Sequence, residues 1–210
     1  MFLSFDGIDG VGKSTQIELF CQWLRARGHE VVACRDPGST AVGEGVRQIL
    51  LHADEQTPIG RRSEMLLYMA ARAQLVDEVI RPALAAGRVV VSDRFLLANL
   101  VYQGYAGGLD VEAIRQVGAV ATAGVRPDCT FLLDMPPQAA DLRMTRGLDR
   151  MERQGDDYRQ RLRDGFLAEA ARDGGNIVVV DADRPVDAVQ AEVRQIAERL
   201  LGPDPSATVA

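Results

Sequence analysis

Phe5-Asp6-Gly7-Ile8-Asp9-Gly10-Val11-Gly12-Lys13-Ser14-Thr15 is the stretch on which the reading of this chain turns. It starts at the end of a short apolar run, Phe2 to Phe5, and passes directly into apolar residues at helical spacing, Ile17, Phe20 and Leu24. Inside it, Gly7 to Ser14 fit G-x-x-x-x-G-K-[ST], in the strand-to-helix setting that gives the pattern its meaning. Glycines let the backbone bend so that its N–H groups face an anion, and the helix that follows contributes its positive end. Lys13 would then reach the β- and γ-phosphates of a nucleoside triphosphate, while the Ser14 hydroxyl binds Mg²⁺.

Outward from this joint the pattern repeats without its glycines. Apolar runs at Glu30 to Cys34, Arg88 to Ser92, Thr130 to Leu133 and Ile177 to Val180 add four strands, with helical spacing between them, as in Val186, Val189, Val193, Ile196 and Leu200. Strands alternating with helices predict a parallel sheet covered on both faces through right-handed crossovers. The valine runs Val89 to Val91 and Val178 to Val180 are expected to be buried on both sides. Residues 41 to 86 and 136 to 173 carry no strand signal and read as consecutive helices, the second set including an arginine-rich stretch from Arg143 to Arg163. The end of the chain, from Gly202, has little to bury and is expected to fray.

Composition limits what such a fold can do. The chain has 210 residues, 47% hydrophobic and 26% charged, which suits one globular domain rather than a disordered or fibrous one. No apolar run approaches the ~20 residues that cross a bilayer, and Met1 to Gly10 does not resemble a signal peptide, so a cytoplasmic location is expected. Three scattered cysteines, Cys21, Cys34 and Cys129, suggest core residues rather than disulfides or a zinc site. A net charge of −6 argues against a nucleic-acid-coating surface. Of 24 basic residues 23 are arginine, and the single lysine is Lys13, at the one position of the motif that demands it. A compact ammonium fits inside a ring of backbone donors better than a planar guanidinium.

A phosphate cradle does not name a reaction. No N-K-x-D guanine-reading motif follows it, and the chain is short for a motor ATPase, which leaves small-molecule phosphoryl transfer in front. Asp36-Pro37-Gly38 and Asp93-Arg94 follow the second and third strands, at the sheet edge where ligands of such folds collect. A carboxylate there, Asp93, can hold Mg²⁺ through water, and an arginine can clamp a phosphate with two hydrogen bonds.

Together with Arg35-Asp36-Pro37-Gly38, Ala70-Ala71-Arg72-Ala73-Gln74, Tyr102-Gln103-Gly104, Arg126-Pro127-Asp128 and Leu148-Asp149-Arg150-Met151-Glu152, these runs make the chain closely resemble the bacterial thymidylate kinases over nearly its whole length. The resemblance implies an α/β P-loop kinase fold: a five-stranded parallel sheet flanked by helices, one domain over 1–202, a small lid at about 141–157 and a flexible tail at 203–210. It implies phosphorylation of dTMP to dTDP by ATP with Mg²⁺, and a homodimer, with neither nucleic acid nor membrane as partner. Arg72 matches the base-reading arginine, and Tyr68, four residues earlier on the same helix face, would stack on thymine where Phe is usual. Asn99 and Gln103 could each offer an amide donor and acceptor to the base. Tyr102 would lie under the sugar and leave no room for a 2′-hydroxyl, and Asp9 would meet the 3′-hydroxyl. Arg35, Arg47 and Arg94 surround the expected acceptor phosphate.

Some relatives carry an arginine at the position of Gly10, and others supply it from the lid. Here the transition-state charge is expected to be met by the lid, with Arg150 first, while Arg143 and Arg146 would face the ATP. Asp36 in place of Glu, Ser39 in place of Gly and Phe95 in place of Tyr or His depart from the family pattern. The competing readings are another nucleoside monophosphate kinase or a deoxynucleoside kinase, and a nucleotide-binding regulator without catalysis.

Overall fold

All five apolar runs form strands in the computed structural model, which describes residues 1–52, 58–144 and 156–202. The strands are β1 (Phe2–Asp6), β2 (Val31–Arg35), β3 (Val89–Asp93), β4 (Cys129–Asp134) and β5 (Ile177–Asp181). They pair in parallel in the order β2-β3-β1-β4-β5. Each ends one residue later than the apolar run suggested, because the ladder continues into a polar residue where the sheet opens to the cleft.

Period-two alternation sorts the side chains. Leu3 and Phe5 of β1, with Val89 and Val91 of β3, point into one core together with Phe20, Leu24, Phe131, Phe166 and Val193. Phe2 and Val90 point into the other, with Leu75, Val76, Ile80 and Phe95. The first core is closed by α1 (Lys13–Ala26), α8 (Asp156–Arg172) and α9 (Val186–Leu201); the second by α3 (Arg61–Leu75), a π-helical turn at Val76–Ile80, and α4 (Arg81–Ala85). Buried Ser4 and Thr130, facing each other across β1 and β4, satisfy their hydroxyls mutually at 2.7 Å.

The double burial expected of Val178 to Val180 does not hold. Strand β5 lies at the sheet edge, and although Val180 is fully buried, Val179 is 42% exposed. Branching at Cβ favours extended backbone whether or not both faces are covered, so valine content alone did not distinguish an edge strand from a central one. Val89 to Val91, on a strand flanked by two others, are buried as expected.

The helical stretch 41 to 86 is α2 (Ala41–His52) followed by α3, its π-helical turn and α4; that at 136 to 173 begins with α7 (Pro137–Arg143) and ends with α8. Between β3 and β4 lie α5 (Leu96–Asn99), a second π-helical segment at Leu100–Tyr105, and α6 (Val111–Thr122). Most of the expected lid, including Arg146, Arg150 and Arg153, and the tail at 203–210 lie outside the described residues.

Candidate active site

Because every strand runs the same way, the segments after β1, β2, β3 and β5 meet at one sheet edge, around a cleft of about 1010 Å³. The loop after β1 forms its floor. Gly7 and Gly10 both have positive φ, and a Cβ on either would lie 2.4 Å from a backbone oxygen, of Leu133 and Ala140 respectively. An arginine at position 10, as some relatives have, would therefore collide with the backbone of α7.

Residues Asp9 to Thr15 line the cleft, whereas Gly7 and Ile8 turn their carbonyls to Lys13, whose Nζ donates to them at 3.0 and 2.9 Å. Nζ also donates to Asp9 Oδ1 at 3.3 Å. Burial, with Arg94 nearby, pulls the lysine pKa down, and Asp9 opposes the shift. Asp6, at the end of β1, is fully buried, and neither carboxylate oxygen has a hydrogen-bond partner among the described residues. Burial raises its pKa to about 7 against the pull of Arg94 and Lys13.

Arg94 enters from the end of β3 with φ at 70°, a left-handed conformation that costs a non-glycine residue about 1 kcal/mol or more. Its backbone N–H is fixed by Phe5 O at 2.9 Å. The guanidinium donates to Gly7 O at 3.0 Å, Asp9 Oδ1 at 2.7 Å and the Tyr102 hydroxyl at 3.2 Å. Burial works against its charge, but Tyr102, Asp9, Asp93 and Asp6 outweigh it and hold the group firmly protonated. Tyr102 in turn donates to Asp9 Oδ2 at 3.3 Å and rests edge-on against Phe166. Two cations from separate motifs thus converge on one carboxylate.

The acceptor side is built by α2, α3, α5 and the π-helical segment after it. Asp36, Pro37, Arg47, Tyr68, Arg72, Asn99, Tyr102 and Gln103 all line the cleft, as does Arg35. Arg72 is not a surface residue in an exposed ion pair: it is 1% exposed, with Nε on Asp36 Oδ2 at 2.5 Å and a second nitrogen on Phe95 O at 3.2 Å. Burial pushes the Asp36 carboxyl up and Arg72 pulls it back. The departure from Glu to Asp thus leaves a tight buried pair, in which Asp36 Oδ2 fixes Arg72 while Oδ1 is buried without a partner among the described residues. Arg47 is held by Pro37 O at 3.2 Å, and Arg35 is held by both oxygens of Glu44.

Asn99 and Gln103 are less free than their spacing suggested. Asn99 Nδ2 donates to Gln103 Oε1 at 2.7 Å, and Gln103 Nε2 donates to buried Glu64 at 3.0 Å. Of the amide atoms of these two residues, Asn99 Oδ1 is the one buried without a partner among the described residues. Asp93 Oδ1 is likewise buried without one, and with Ser14 it lines the cleft. That pair suits Mg²⁺, which takes few protein ligands and keeps several waters.

Several residues escaped the sequence reading. Arg184, Pro185 and Val186, from the segment after β5, line the cleft beside Arg143, which was expected on the ATP side and donates to Ala182 O at 3.0 Å. The rule that ligands gather at strand C-termini would have pointed to that segment. Arg159, one arginine among many in its stretch, is 6% exposed and bridges Asp141 (2.6 Å) to Asp9 O (3.2 Å). Glu64 stands at the same helical spacing before Tyr68 as Tyr68 before Arg72, a signal that was legible.

A parallel sheet in this order, a glycine-built phosphate loop at the end of β1 and a cleft with a second polar limb define a P-loop nucleotide kinase. A family model described as Thymidylate kinase matches residues 5–193, and the chain belongs to that family. It is 45% identical over 204 residues to the thymidylate kinase of Desulforudis audaxviator, covering 94% of this chain and 92% of that protein. It is 44% identical over 202 residues to that of Symbiobacterium thermophilum, covering 96% and 94%. The crystal structure of thymidylate kinase from Ehrlichia chaffeensis superposes with a TM-score of 0.79 at 30% identity, covering 94% of this chain and 98% of that one.

Proposed function

We propose that the cleft transfers the γ-phosphoryl group of ATP directly to dTMP, giving dTDP and ADP, in line and without a phosphoenzyme. The observation that carries this reading is the shared carboxylate: Lys13 and Arg94, one from the donor motif and one from the acceptor motif, stand 3.3 and 2.7 Å from Asp9 Oδ1. Between two such cations the transferred group would find its charge offset on both sides, which is most of what this reaction asks of a protein. Ser14 and Asp93 would hold Mg²⁺, which would supply positive charge to offset that of the donor phosphates. Residues Gly7 to Thr15 would wrap the donor phosphates, with Arg143 and Arg146 on the ATP side and Arg150 of the lid meeting the transition-state charge.

On the acceptor side Arg72 would give donors to thymine O4, Tyr68 would stack on the ring, and Asn99, with Gln103 behind it, would meet its N3 edge. Tyr102 would close the space of a 2′-hydroxyl and Asp9 would meet the 3′-hydroxyl, with Arg94 and Arg47 at the acceptor phosphate. Asp36 and Pro37 would wall this limb. Residues 1–202 would act as one catalytic unit, with the lid at about 141–157 shutting out water. A cytoplasmic homodimer completes the reading; Leu66 on α3 and Val120 on α6, 53% and 82% exposed, are apolar positions left for a partner copy, which sedimentation would check.

A coupled ADP-release assay across the common nucleoside monophosphates tests the assignment. dTMP should exceed AMP, GMP and CMP by orders of magnitude, since a mismatched base leaves buried polar groups unpaired. A CMP or AMP rate equal to that with dTMP would sink it.

A further inference from the structure

We propose that Glu64 is a positioning residue that makes this cleft read the N3 edge of the pyrimidine as a hydrogen-bond donor. The inference rests on the reading of Asn99 as a base contact and extends it to a residue that does not itself line the cleft.

Asn99 alone cannot discriminate. Its amide presents a donor on one side and an acceptor on the other, and the two exchange when the group turns over. A uracil-type ring carries N–H at N3, whereas cytosine carries a lone pair there. Without something to fix the amide, either edge could be met.

Glu64 supplies the fixed point. It is 6% exposed on α3, and a carboxylate accepts hydrogen bonds but does not donate them. Gln103 must therefore turn its Nε2 toward Glu64, and does so at 3.0 Å. That choice leaves Gln103 Oε1 facing Asn99, so Asn99 must offer Nδ2, at 2.7 Å. The atom left over is Asn99 Oδ1, buried and without a partner among the described residues. Reversing Gln103 sets oxygen against oxygen at Glu64 and nitrogen against nitrogen at Asn99, and reversing Asn99 sets oxygen against oxygen at Gln103. All three residues are at least nine-tenths buried, so water is poorly placed to repair such a mismatch. The chain has one low-energy polarity, and it ends in an acceptor.

A buried acceptor left unsatisfied costs about 1–3 kcal/mol. A ring with N3–H removes that cost on binding, and a ring with an N3 lone pair adds a second acceptor against it. Arg72 reads the neighbouring O4 independently, held by Asp36 rather than by this relay.

The test is Glu64→Gln, in which the new amide can donate or accept and the relay loses its fixed end. The ratio of kcat/KM for dTMP to that for dCMP should fall about tenfold, the scale of one hydrogen bond. The dTMP to dUMP ratio should stay at the wild-type value, because both rings carry N3–H. Ratios measured on one preparation cancel any loss of folded protein. Gln103→Met, which cuts the relay in the middle, should lower the dTMP to dCMP ratio similarly, and the double variant should go no further than the larger single effect. If Glu64→Gln leaves the dTMP to dCMP ratio unchanged while Asn99→Ala lowers it, the relay is overturned and the base contact stands. If Asn99→Ala also leaves it unchanged, the base contact itself is wrong. Equal changes in the dUMP and dCMP ratios would make Glu64 a general structural support and overturn the proposal.

Discussion

The phosphate-handling end of the cleft and the base-handling end hold their polar groups in opposite ways. Around Asp9, two cations share one carboxylate, and Lys13 donates to carbonyls and carboxylate alike. A phosphate oxygen can replace such partners one for one. Around Arg72 and Asn99, the partners are buried and directional, Asp36 on one side and Glu64 through Gln103 on the other, with Asp36 Oδ1 and Asn99 Oδ1 left without a partner among the described residues. An end that must exchange charged ligands each turnover is built from interchangeable anions; an end that must recognise one ring is built from dipoles that do not turn.

The sharpest break in this contrast is at Arg72. Arg72→Met leaves Asp36 a buried carboxylate without its cation, and losing one member of such a pair costs about 3–5 kcal/mol. Urea denaturation should show that loss, and Asp36→Leu in the same chain should restore most of it without restoring use of dTMP. Recovery of both would mean that the pair is only structural.

Next in size is the lid. Arg150→Ala should lower kcat by up to roughly 10³-fold with nucleotide affinity little changed, the pattern of a residue acting on transition-state charge. A wild-type rate would move the role to Arg143, Arg146 or Arg153.

Asp6 tests the phosphate end through pH. Its folded pKa, about 7, lies above the ordinary 3.8, so the folded protein binds its proton more tightly than the unfolded chain does. The stabilisation this group gives is full below pH ~4 and is lost as pH rises toward 7. Asp6→Asn should therefore flatten the decline of the ligand-free protein's stability across that window and gain most above pH 7. Thermal melts at several pH values read this directly, and parallel curves for the two proteins would contradict it.

The smallest expected effect is at Tyr102, whose ring packs between Arg94 and Phe166. Tyr102→Ala should relax discrimination against ribonucleotide acceptors, and an unchanged ratio of deoxyribo to ribo rates would refute the steric account.

Much of this was legible in the residues alone. The strands and the phosphate loop were, because their signals are local: a run of branched residues, or glycines at fixed spacing before one lysine. The cleft residues after β2 and β3 were legible by position. What was not legible depends on distant partners. Nothing local distinguishes Val179 on an edge strand from Val90 on a central one, or shows that Asp36 meets Arg72 across 36 residues. Asn99 and Gln103 carried the right spacing, but which of their atoms remain free is decided by Glu64, on another helix.

The account stands on the loop around Lys13 being the donor site, and the composition permits a direct test. An amine-directed reagent has two natural targets here, the α-amino group of Met1 and Lys13, which peptide mapping separates. With ATP and Mg²⁺ bound, labelling of Lys13 should slow sharply while that of Met1 does not, and stoichiometric labelling of Lys13 should abolish transfer. Equal labelling of Lys13 with and without ATP and Mg²⁺, or full activity after modification, would contradict the assignment of this loop as the donor site.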